Sequence, residues 1–335
     1  MGLKIDILAT NGSVLGVTTA SIYGDDGRMG VGGAELAMLT MCEEWAKAGH
    51  KVTLYNNPTR ENTVFEQKPI DSFEKFVRRD ILIVFRAPTG LVDDANGKHI
   101  WWSTDQYTVG SYKDFAKHVD KIVCISPFHQ NYFRDIYGIE NTISIDLPVR
   151  IEDYVGGFPK IPHRFLFSSV PDRGLHQTFD MWPAIQSQIP DATLVITSDY
   201  RLWGCASPLN EQFAIRSVNM PGVTFLGAIP RRSLVREQLM ADMLLYPCIY
   251  EELFCYAVAE AQVAGTPPVT PPIGALSTTN MHKLTAGSPD AMIGGLLEFL
   301  NSPDKEKIRQ ELMDKARKRF SAEVILKEWN EKVFA

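Results

Sequence analysis

The sequence lacks the short motifs that identify the commonest metal-dependent and serine-dependent enzymes. Its seven histidines include no His-Glu-x-x-His pair, and neither a Gly-x-Ser-x-Gly elbow nor a Walker-type phosphate loop occurs. The acidic pairs Asp25-Asp26 and Asp93-Asp94 lie in loops that contain glycine, where aspartate is a common turn residue. We therefore expect no metal site.

Cysteine is also scarce, and the five cysteines form no paired framework. Cys42, Cys124, Cys205, Cys248 and Cys255 are odd in number, and no two of them have Cys-x-x-Cys spacing. Such a set is typical of reduced thiols in a cytoplasmic protein rather than of disulfides or a zinc site. We expect a cytoplasmic location.

Long hydrophobic runs and an excess of positive charge are missing as well. The longest apolar stretches, around Ile81–Phe85 and Met243–Tyr246, have the length of a strand and not that of a membrane span. The first residues show no signal-peptide pattern. The net charge of -6 gives no overall basic footprint of the kind that nucleic-acid-binding proteins carry, although a local basic patch would escape this sum. We expect a soluble protein without an integral membrane segment.

Apolar runs of strand length alternate with stretches of helical periodicity along the whole chain. The first predicted strand is Leu3–Thr10, and the helix that follows the glycine-rich loop carries apolar residues from Leu36 to Ala48 before Gly49 ends it. The other predicted strands are His50–Asn56, Arg164–Ser169 and the runs that begin at Asp80, His99, Lys121, Thr142, Ala192, Val223, Met243 and Pro267. This alternation predicts an α/β protein with two Rossmann-like, doubly wound parallel sheets.

A length of 335 residues suits two domains of ordinary size. The segment Val149–Arg164 is rich in glycine and proline and lacks clear periodicity, so we place the boundary there. The predicted domains are residues 1–155 and 156–318, followed by a C-terminal helix over residues 319–335.

Two glutamates lie near a predicted helix start in the second half. If that helix begins near Cys255 or Tyr256, Glu252 lies in the preceding loop and Glu260 about one turn inside. The helix N-terminus offers backbone N–H groups and a positive dipole end, which suit a diphosphate, and the carboxylates could accept hydrogen bonds from sugar hydroxyls. The same spacing also fits an acid near the helix dipole and another on a solvated face.

The segment from Glu251 to Gly265 resembles the Glu-x7-Glu signature of retaining GT-B-type glycosyltransferases, especially family 4. The matching positions are Glu252, Phe254, Glu260, Ala261, Gly265, Pro267 and Val269. Cys255 stands where the family usually has glycine, which tolerates a positive φ and close contact with a ligand. The resemblance implies that Glu252 holds hydroxyls of the donor sugar, that Glu260 holds the ribose, and that the backbone near Phe254, Cys255 and Tyr256 binds the diphosphate.

The N-terminal glycine-rich loop resembles the same family. The stretch VGGAELAM, followed by AGHKV, is similar to the Gly-Gly-x-Glu loop and the next strand start of the acceptor domain, which implies donor contacts at Gly32 and Gly33. A dinucleotide fingerprint is the rival interpretation, but Glu35 occupies its last glycine position and the loop lies far beyond the first strand. A purely structural turn is the third.

A third patch, SSVPDRGLHQTF from Ser168 to Phe179, resembles the start of the donor domain. Arg173-Gly174 stands where relatives have a Lys-Gly pair, and Ser168 stands where they often have a further arginine. An arginine can neutralise a phosphate with two hydrogen bonds, so the resemblance implies that Arg173 binds the diphosphate. On spacing alone, Arg173 fits a surface turn equally well.

The sequence WWSTDQY follows a predicted strand and lies where relatives often carry a His-Asp pair. Thr104 replaces that histidine and Asp105 is kept. The resemblance implies that Asp105 orients the acceptor or stabilises charge near the reacting carbon. A helix cap or turn aspartate is the alternative.

The resemblance as a whole implies two Rossmann-like domains that face a central cleft, with the acceptor bound by the first domain and a nucleotide diphosphate sugar by the second. It also implies that the last helix, around Trp329, packs on the N-terminal domain. The expected reaction is retaining glycosyl transfer without metal or other cofactor. The acceptor is left open among glycan, lipid, protein and modified nucleic acid.

Two other functions fit the same resemblance. A sugar-nucleotide epimerase of related fold would consume the donor without an acceptor. A non-catalytic nucleotide-sugar-binding protein is conceivable because Ser168, Thr104 and Cys255 depart from the family pattern.

Overall fold

The computed structural model describes residues 2–61, 64–205, 207–282 and 287–335 of the chain. It divides into two compact units. Unit 1 consists of Met1–Asp26, Gly33–Pro148 and Ala322–Ala335, and unit 2 consists of Gly27–Gly32 and Val149–Ser321. The chain therefore leaves unit 1 at residue 149 and returns to it at residue 322.

Unit 1 is built on a sheet whose seven strands, within the described residues, are all parallel to their neighbours. They are β1 (Lys4–Ala9), β2 (Lys51–Tyr55), β3 (Glu66–Lys68), β4 (Ile81–Phe85), β5 (Lys98–Trp102), β6 (Lys121–Cys124) and β7 (Thr142–Ser144). The spatial order is β3-β2-β1-β4-β5-β6-β7, so the sheet winds outward in both directions from β1. Every residue of β4 is buried, as its continuous apolar sequence predicts.

Helices cover this sheet. They are α1 (Thr19–Tyr23), α2 (Gly33–Lys47), α3 (Tyr112–Phe115) and α4 (Pro127–Tyr132). The large apolar residues of α2 are buried, and Gly49 follows that helix with a φ of +89°, a conformation that glycine adopts without strain. The hydroxyl of Ser126 accepts a hydrogen bond from the His129 N–H and so caps α4.

Unit 2 has a smaller sheet of the same kind. Its strands are β8 (Arg164–Ser168), β9 (Thr193–Thr197), β10 (Val223–Phe225), β11 (Met243–Leu245) and β12 (Pro268–Val269), in the order β10-β9-β8-β11-β12. All neighbouring strands pair in parallel. The helices are α5 (Leu175–Gln188), α6 (Leu209–Val218), α7 (Arg231–Met240), α8 (Tyr256–Val263), α9 (Leu276–Thr279), α10 (Pro289–Asn301) and α11 (Lys305–Phe320).

The chain returns to unit 1 through α12 (Ala322–Trp329) and the turn Asn330–Phe334. The indole of Trp329 lies 5.1 Å from that of Trp45 and 5.1 Å from that of Trp102, centroid to centroid. All three indoles are buried, and Lys98 Nζ donates to the Val333 carbonyl oxygen at 2.8 Å. The returning segment thus completes the core of unit 1.

The two doubly wound parallel sheets confirm the α/β fold predicted from the sequence. The apolar runs do not predict β3, which is a polar edge strand, or α6, which exposes Leu209, Ile215 and Val218. In the described part of the chain, no helix is both long enough and apolar enough to cross a membrane.

Candidate functional site

The loops that follow β8 and β11 bring charged side chains together at one edge of the unit 2 sheet. Because β8 and β11 are parallel neighbours, their carboxyl ends lie side by side, which is where ligands bind in doubly wound sheets. The turn Pro171–Arg173 follows β8, and the segment from Tyr246 to Cys255 connects β11 to α8.

Arg173 and Glu252 form an ion pair at this edge. Arg173 Nε lies 3.0 Å from Glu252 Oε1, and the Tyr246 hydroxyl donates to the same oxygen at 2.8 Å. The two side chains are 18% and 15% exposed, so the pair is shielded yet reachable. Burial raises the pKa of Glu252, and the positive charge of Arg173 only partly opposes this effect. Burial alone would lower the pKa of Arg173, but the neighbouring negative charge of Glu252 helps to raise it above its ordinary value. The charge on each of these two side chains is therefore stabilised by the charge on the other.

Two glycines fix the backbone around this pair. Gly174 has a φ of +106°, and a Cβ added there would lie 2.7 Å from the Pro247 carbonyl oxygen. Gly274 has a φ of +55°, and a Cβ there would lie 2.7 Å from the Glu252 carbonyl oxygen, which also accepts the Ala275 N–H at 2.7 Å. Both positions exclude a larger side chain, so the turn of Arg173 and the loop of Glu252 are held by close backbone packing.

Cys255 directly precedes α8 and has a φ of +70°. This left-handed conformation is one that glycine adopts freely and cysteine rarely. The thiol is buried, and burial raises its pKa, so it is a neutral packing group. Cys255 thus occupies a conformation that is typical of glycine.

The neighbours of Cys255 differ in burial. Phe254 is buried, and its ring lies 5.6 Å from the ring of Phe320, so this side chain packs in the core. Tyr256 is half-buried, and burial raises the pKa of its phenol. The side chain of Phe254 is therefore not available to a ligand.

Glu260 lies in a buried network one turn into α8. Its Oε1 accepts a hydrogen bond from Arg231 Nη1 at 2.6 Å, and its Oε2 accepts one from Gln238 Nε2 at 3.0 Å. Arg231 also pairs with Asp153, and the Tyr154 hydroxyl donates to Gln238 Oε1 at 2.7 Å. With 4% exposure, Glu260 is not on a solvated face, which excludes that interpretation of the glutamate pair.

Asp105 lies in unit 1, in the loop that follows β5. Its Oδ2 accepts the Thr108 hydroxyl at 2.6 Å and lies 3.5 Å from Arg86 Nε. Arg86 has a φ of +71°, lies 3.3 Å from Glu35 Oε1 through Nη2, and donates to the Gly12 carbonyl oxygen at 2.6 Å. Asp105 does not cap α3, because the Ser111 hydroxyl does so.

Thr104, which directly precedes Asp105, is 8% exposed. Its hydroxyl has no hydrogen-bond partner within the described ranges. An unsatisfied buried hydroxyl next to Asp105 can accept or donate a bond to a bound molecule.

The predicted glycine-loop residues occupy different places. Gly33 is the first residue of α2, whereas Gly32 belongs to the segment that is grouped with unit 2. Glu35 is buried and accepts the Val14 N–H at 3.1 Å, so it fastens the loop that follows β1. This carboxylate holds a protein backbone where a dinucleotide fingerprint would require a glycine.

Several residues of these sites were not predicted from the sequence. Tyr246 and Arg86 each follow a buried strand directly, a position that is a usable signal because strand ends carry binding residues. Arg231 and Gln238 had no signal of their own, since their roles depend on contacts with Glu260. Within the described ranges, no three His, Cys, Asp or Glu side chains converge as a metal site would require.

Comparison with known proteins places these sites in a known fold. Residues 163–302 match the family model described as "Glycosyl transferases group 1". No curated protein matches the sequence.

Solved structures match along nearly the whole chain. A glycosyltransferase from Rickettsia africae is 13% identical, with a TM-score of 0.72, 98% of this chain covered and 97% of that one. A sucrose-phosphate synthase from Thermosynechococcus elongatus is 15% identical, with a TM-score of 0.71 and 98% of each chain covered. Anabaena HepE, solved with UDP and glucose, is 14% identical, with a TM-score of 0.71, 99% of this chain covered and 100% of that one.

Identities this low establish the fold and no more. The fold is that of GT-B glycosyltransferases, two parallel-sheet α/β units in one chain. Together, the family match over residues 163–302 and this fold support a glycosyltransferase enzyme.

Proposed function

We propose that this protein transfers a sugar from a nucleotide diphosphate sugar to an acceptor hydroxyl, with retention of anomeric configuration and without a metal ion. The observation that carries the proposal is the Arg173–Glu252 ion pair at the carboxyl ends of β8 and β11, beside the N-terminus of α8. The binding of UDP and glucose by HepE, which shares the fold, supports a donor of this class.

The residues of unit 2 suit the leaving group and the donor sugar. Arg173 would neutralise the diphosphate, and the helix N-terminus after Cys255 would add its dipole, which stabilises the negative charge that develops as the sugar departs. Glu252 would accept hydrogen bonds from hydroxyls of the donor sugar. Arg173 would then exchange part of its contact with Glu252 for the phosphates.

The ribose would lie against Glu260. Both oxygens of Glu260 already accept one hydrogen bond, yet a carboxylate has about four acceptor positions, so it could also accept a bond from a ribose hydroxyl. The predicted donor contacts of Gly32 and Gly33 belong to the same proposal.

In the transfer step, the bond between the anomeric carbon and the phosphate oxygen breaks and a bond from that carbon to the acceptor oxygen forms on the same face. The proton of the acceptor hydroxyl passes to the departing phosphate, so no pair of flanking carboxylates is required. Asp105, oriented by Arg86 and Thr108, would position the acceptor.

The first test is incubation of the protein with a panel of nucleotide sugars, monitored by NMR, with and without candidate acceptors and with EDTA. We expect slow release of nucleotide from one donor, faster release with an acceptor, a product of unchanged anomeric configuration and no effect of EDTA. An inverted product or loss of activity in EDTA would refute retention or metal independence. Donor epimerisation without an acceptor, or tight binding without any turnover, would favour the rival functions.

The second test uses site variants. Arg173→Gln should raise the donor KM and lower kcat, since it removes a charge that acts on the leaving group. Glu260→Gln should raise the donor KM alone. Glu260→Ala is less suitable, because Arg231 Nη1 and Gln238 Nε2 would lose their buried acceptor, at a cost of about 1–3 kcal/mol for each unsatisfied group, even though Arg231 keeps its pair with Asp153.

A further inference from the structure

Two exposed aromatic side chains lie against Arg173. The Arg173 guanidinium carbon is 3.9 Å from the centroid of the Tyr250 ring and 5.2 Å from that of the Trp203 ring. Trp203 is 45% exposed and Tyr250 is 37% exposed. Both distances fall within the range in which a ring face attracts a guanidinium. We refer to Trp203 and Tyr250 as the aromatic pair.

The position of Trp203 is built into the structure. Trp203 ends the turn Tyr200–Trp203, which begins where Asp199 accepts the Arg201 N–H at 2.8 Å. The Tyr200 hydroxyl donates to Asp172 Oδ1 at 2.5 Å, and Asp172 directly precedes Arg173. The loop after β9 is therefore fastened to the turn after β8 that carries Arg173.

Tyr250 approaches Arg173 from the loop after β11. The same loop carries Glu252, whose carboxylate holds Arg173 Nε at 3.0 Å. Two loops thus contribute three groups around a single guanidinium: Trp203 comes from the loop after β9, and Tyr250 and Glu252 come from the loop after β11. The Glu252 carboxylate pairs with the Nε of Arg173. The two rings restrict the orientation of the guanidinium plane, and their contacts do not use the other N–H donors of Arg173.

We propose that Trp203 and Tyr250 are positioning residues that orient Arg173 for the diphosphate of the donor. This inference rests on the proposed function, since it assigns the aromatic pair to the same donor site. An arginine side chain loses rotamer freedom when it is fixed, and this loss opposes binding. The aromatic pair restricts it before the ligand arrives, so less of that cost falls on binding. The pair acts through Arg173 and does not touch the nucleobase.

The test compares phosphate-dependent with base-dependent binding. Tyr250→Leu and Trp203→Leu are titrated by calorimetry with UDP, ADP and GDP and by ligand-observed NMR with the matching nucleosides. Each variant should weaken binding of the preferred nucleoside diphosphate by about two- to thirty-fold, the range of a cation–π contact. Binding of the matching nucleoside should not change.

Three controls make the result specific. Tyr250→Phe keeps the ring and should bind like the wild type. Phe76→Leu removes a side chain that is 74% exposed in unit 1 and should have no effect. In an Arg173→Gln background, Tyr250→Leu should produce no further loss, because the two changes remove one coupled interaction.

The outcomes separate the inference from the proposed function. Equal weakening of nucleoside and nucleoside diphosphate would make the pair a stacking platform for the base and overturn the inference. Unchanged diphosphate binding in both leucine variants would also overturn it. Failure of the wild type to bind any nucleoside diphosphate, with CDP and dTDP added to UDP, ADP and GDP, would instead refute the proposed function.

Discussion

At the scale of single residues, Cys255 combines a strained backbone with a buried side chain. A non-glycine residue in the left-handed region costs on the order of 1 kcal/mol or more. Burial of the side chain in the unit 2 core offsets this cost. The two effects have opposite signs when glycine is introduced, which allows a sharp prediction.

We expect Cys255→Gly to leave the free energy of unfolding within about 1 kcal/mol of the wild type, because relief of strain compensates for the lost packing. Cys124→Gly is the matched control: this cysteine is also buried but lies in β6, where glycine relieves no strain, and the loss should be about 1–3 kcal/mol. Urea unfolding measures both. Equal losses in the two variants would contradict the strain at Cys255.

His129 links the stability of unit 1 to pH. The ring is fully buried, and its Nδ1 accepts the Ile125 N–H at 3.2 Å. Burial lowers the pKa of His129 from 6.5 to about 3. As the pH falls below 6.5, the unfolded chain takes up a proton that the folded protein does not, so stability is lost between pH 6.5 and about 3.

When the pH is lowered from about 7.5 to about 5.5, the unfolding free energy of His129→Gln should fall by about 1.4 kcal/mol less than that of the wild type. His118→Gln changes an exposed histidine and should retain the wild-type dependence. Urea unfolding at the two pH values provides the data. An unchanged pH dependence in His129→Gln would show that other groups cause it.

At the scale of elements, the turn after β8 depends on Gly174. A residue with a Cβ would be strained at its φ of +106° and would collide with the Pro247 carbonyl oxygen. Gly49, with a φ of +89°, has no atom within 4 Å of an added Cβ in the described part of the structure. The two positions separate backbone strain from steric collision.

We therefore expect Gly49→Ala to cost about 1 kcal/mol and Gly174→Ala to cost at least about 1 kcal/mol more, because the turn must move. Gly174→Ala should also weaken nucleotide binding, since Arg173 moves with the turn, whereas Gly49→Ala should not. Thermal unfolding and UDP titration measure the two effects. Intact UDP binding in Gly174→Ala would separate the turn from the site.

The elements themselves were largely readable from the sequence. The continuous apolar residues of β4 predict a buried strand, and the apolar residues at helical spacing in α2 predict a helix with one buried face. The edge strand β3 was not predicted, because its three residues are polar and it is held by backbone pairing with β2. Glu252, Glu260 and Arg173 were predicted from resemblance to known motifs, and their assignment to a donor site stays a prediction.

The contacts of those residues were not readable. The Arg173–Glu252 pair joins loops that are distant in the chain and adjacent only because β8 and β11 are neighbours in the sheet. The partners of Glu260 lie on a different helix, α7. Sequence patterns report what one segment prefers, whereas such pairs depend on where two segments meet.

At the scale of the whole molecule, the returning segment makes unit 1 discontinuous. Trp329 contacts Trp45 and Trp102 there, whereas Trp182 is buried in the core of unit 2 and donates to the Pro221 carbonyl oxygen at 2.9 Å. Each indole therefore reports on one unit.

Trp329→Ala should destabilise unit 1 by about 3–5 kcal/mol, and Trp182→Ala should do the same to unit 2. Hydrogen exchange followed by mass spectrometry should show faster exchange of the α2 and β5 amides in the first variant and of the β8 and α5 amides in the second. Faster exchange throughout both units in either variant would show that they unfold together.

The return of residues 322–335 to unit 1 also sets an order of assembly during synthesis. A ribosome that adds about 5–20 residues per second needs roughly 10 to 35 s to make Val149–Ser321. Throughout that interval the nascent unit 1 lacks the indole that packs against Trp45 and Trp102. Unit 1 is thus translated first but completes its core last. A chaperone that binds apolar surface would bind the newly made N-terminal half during this interval.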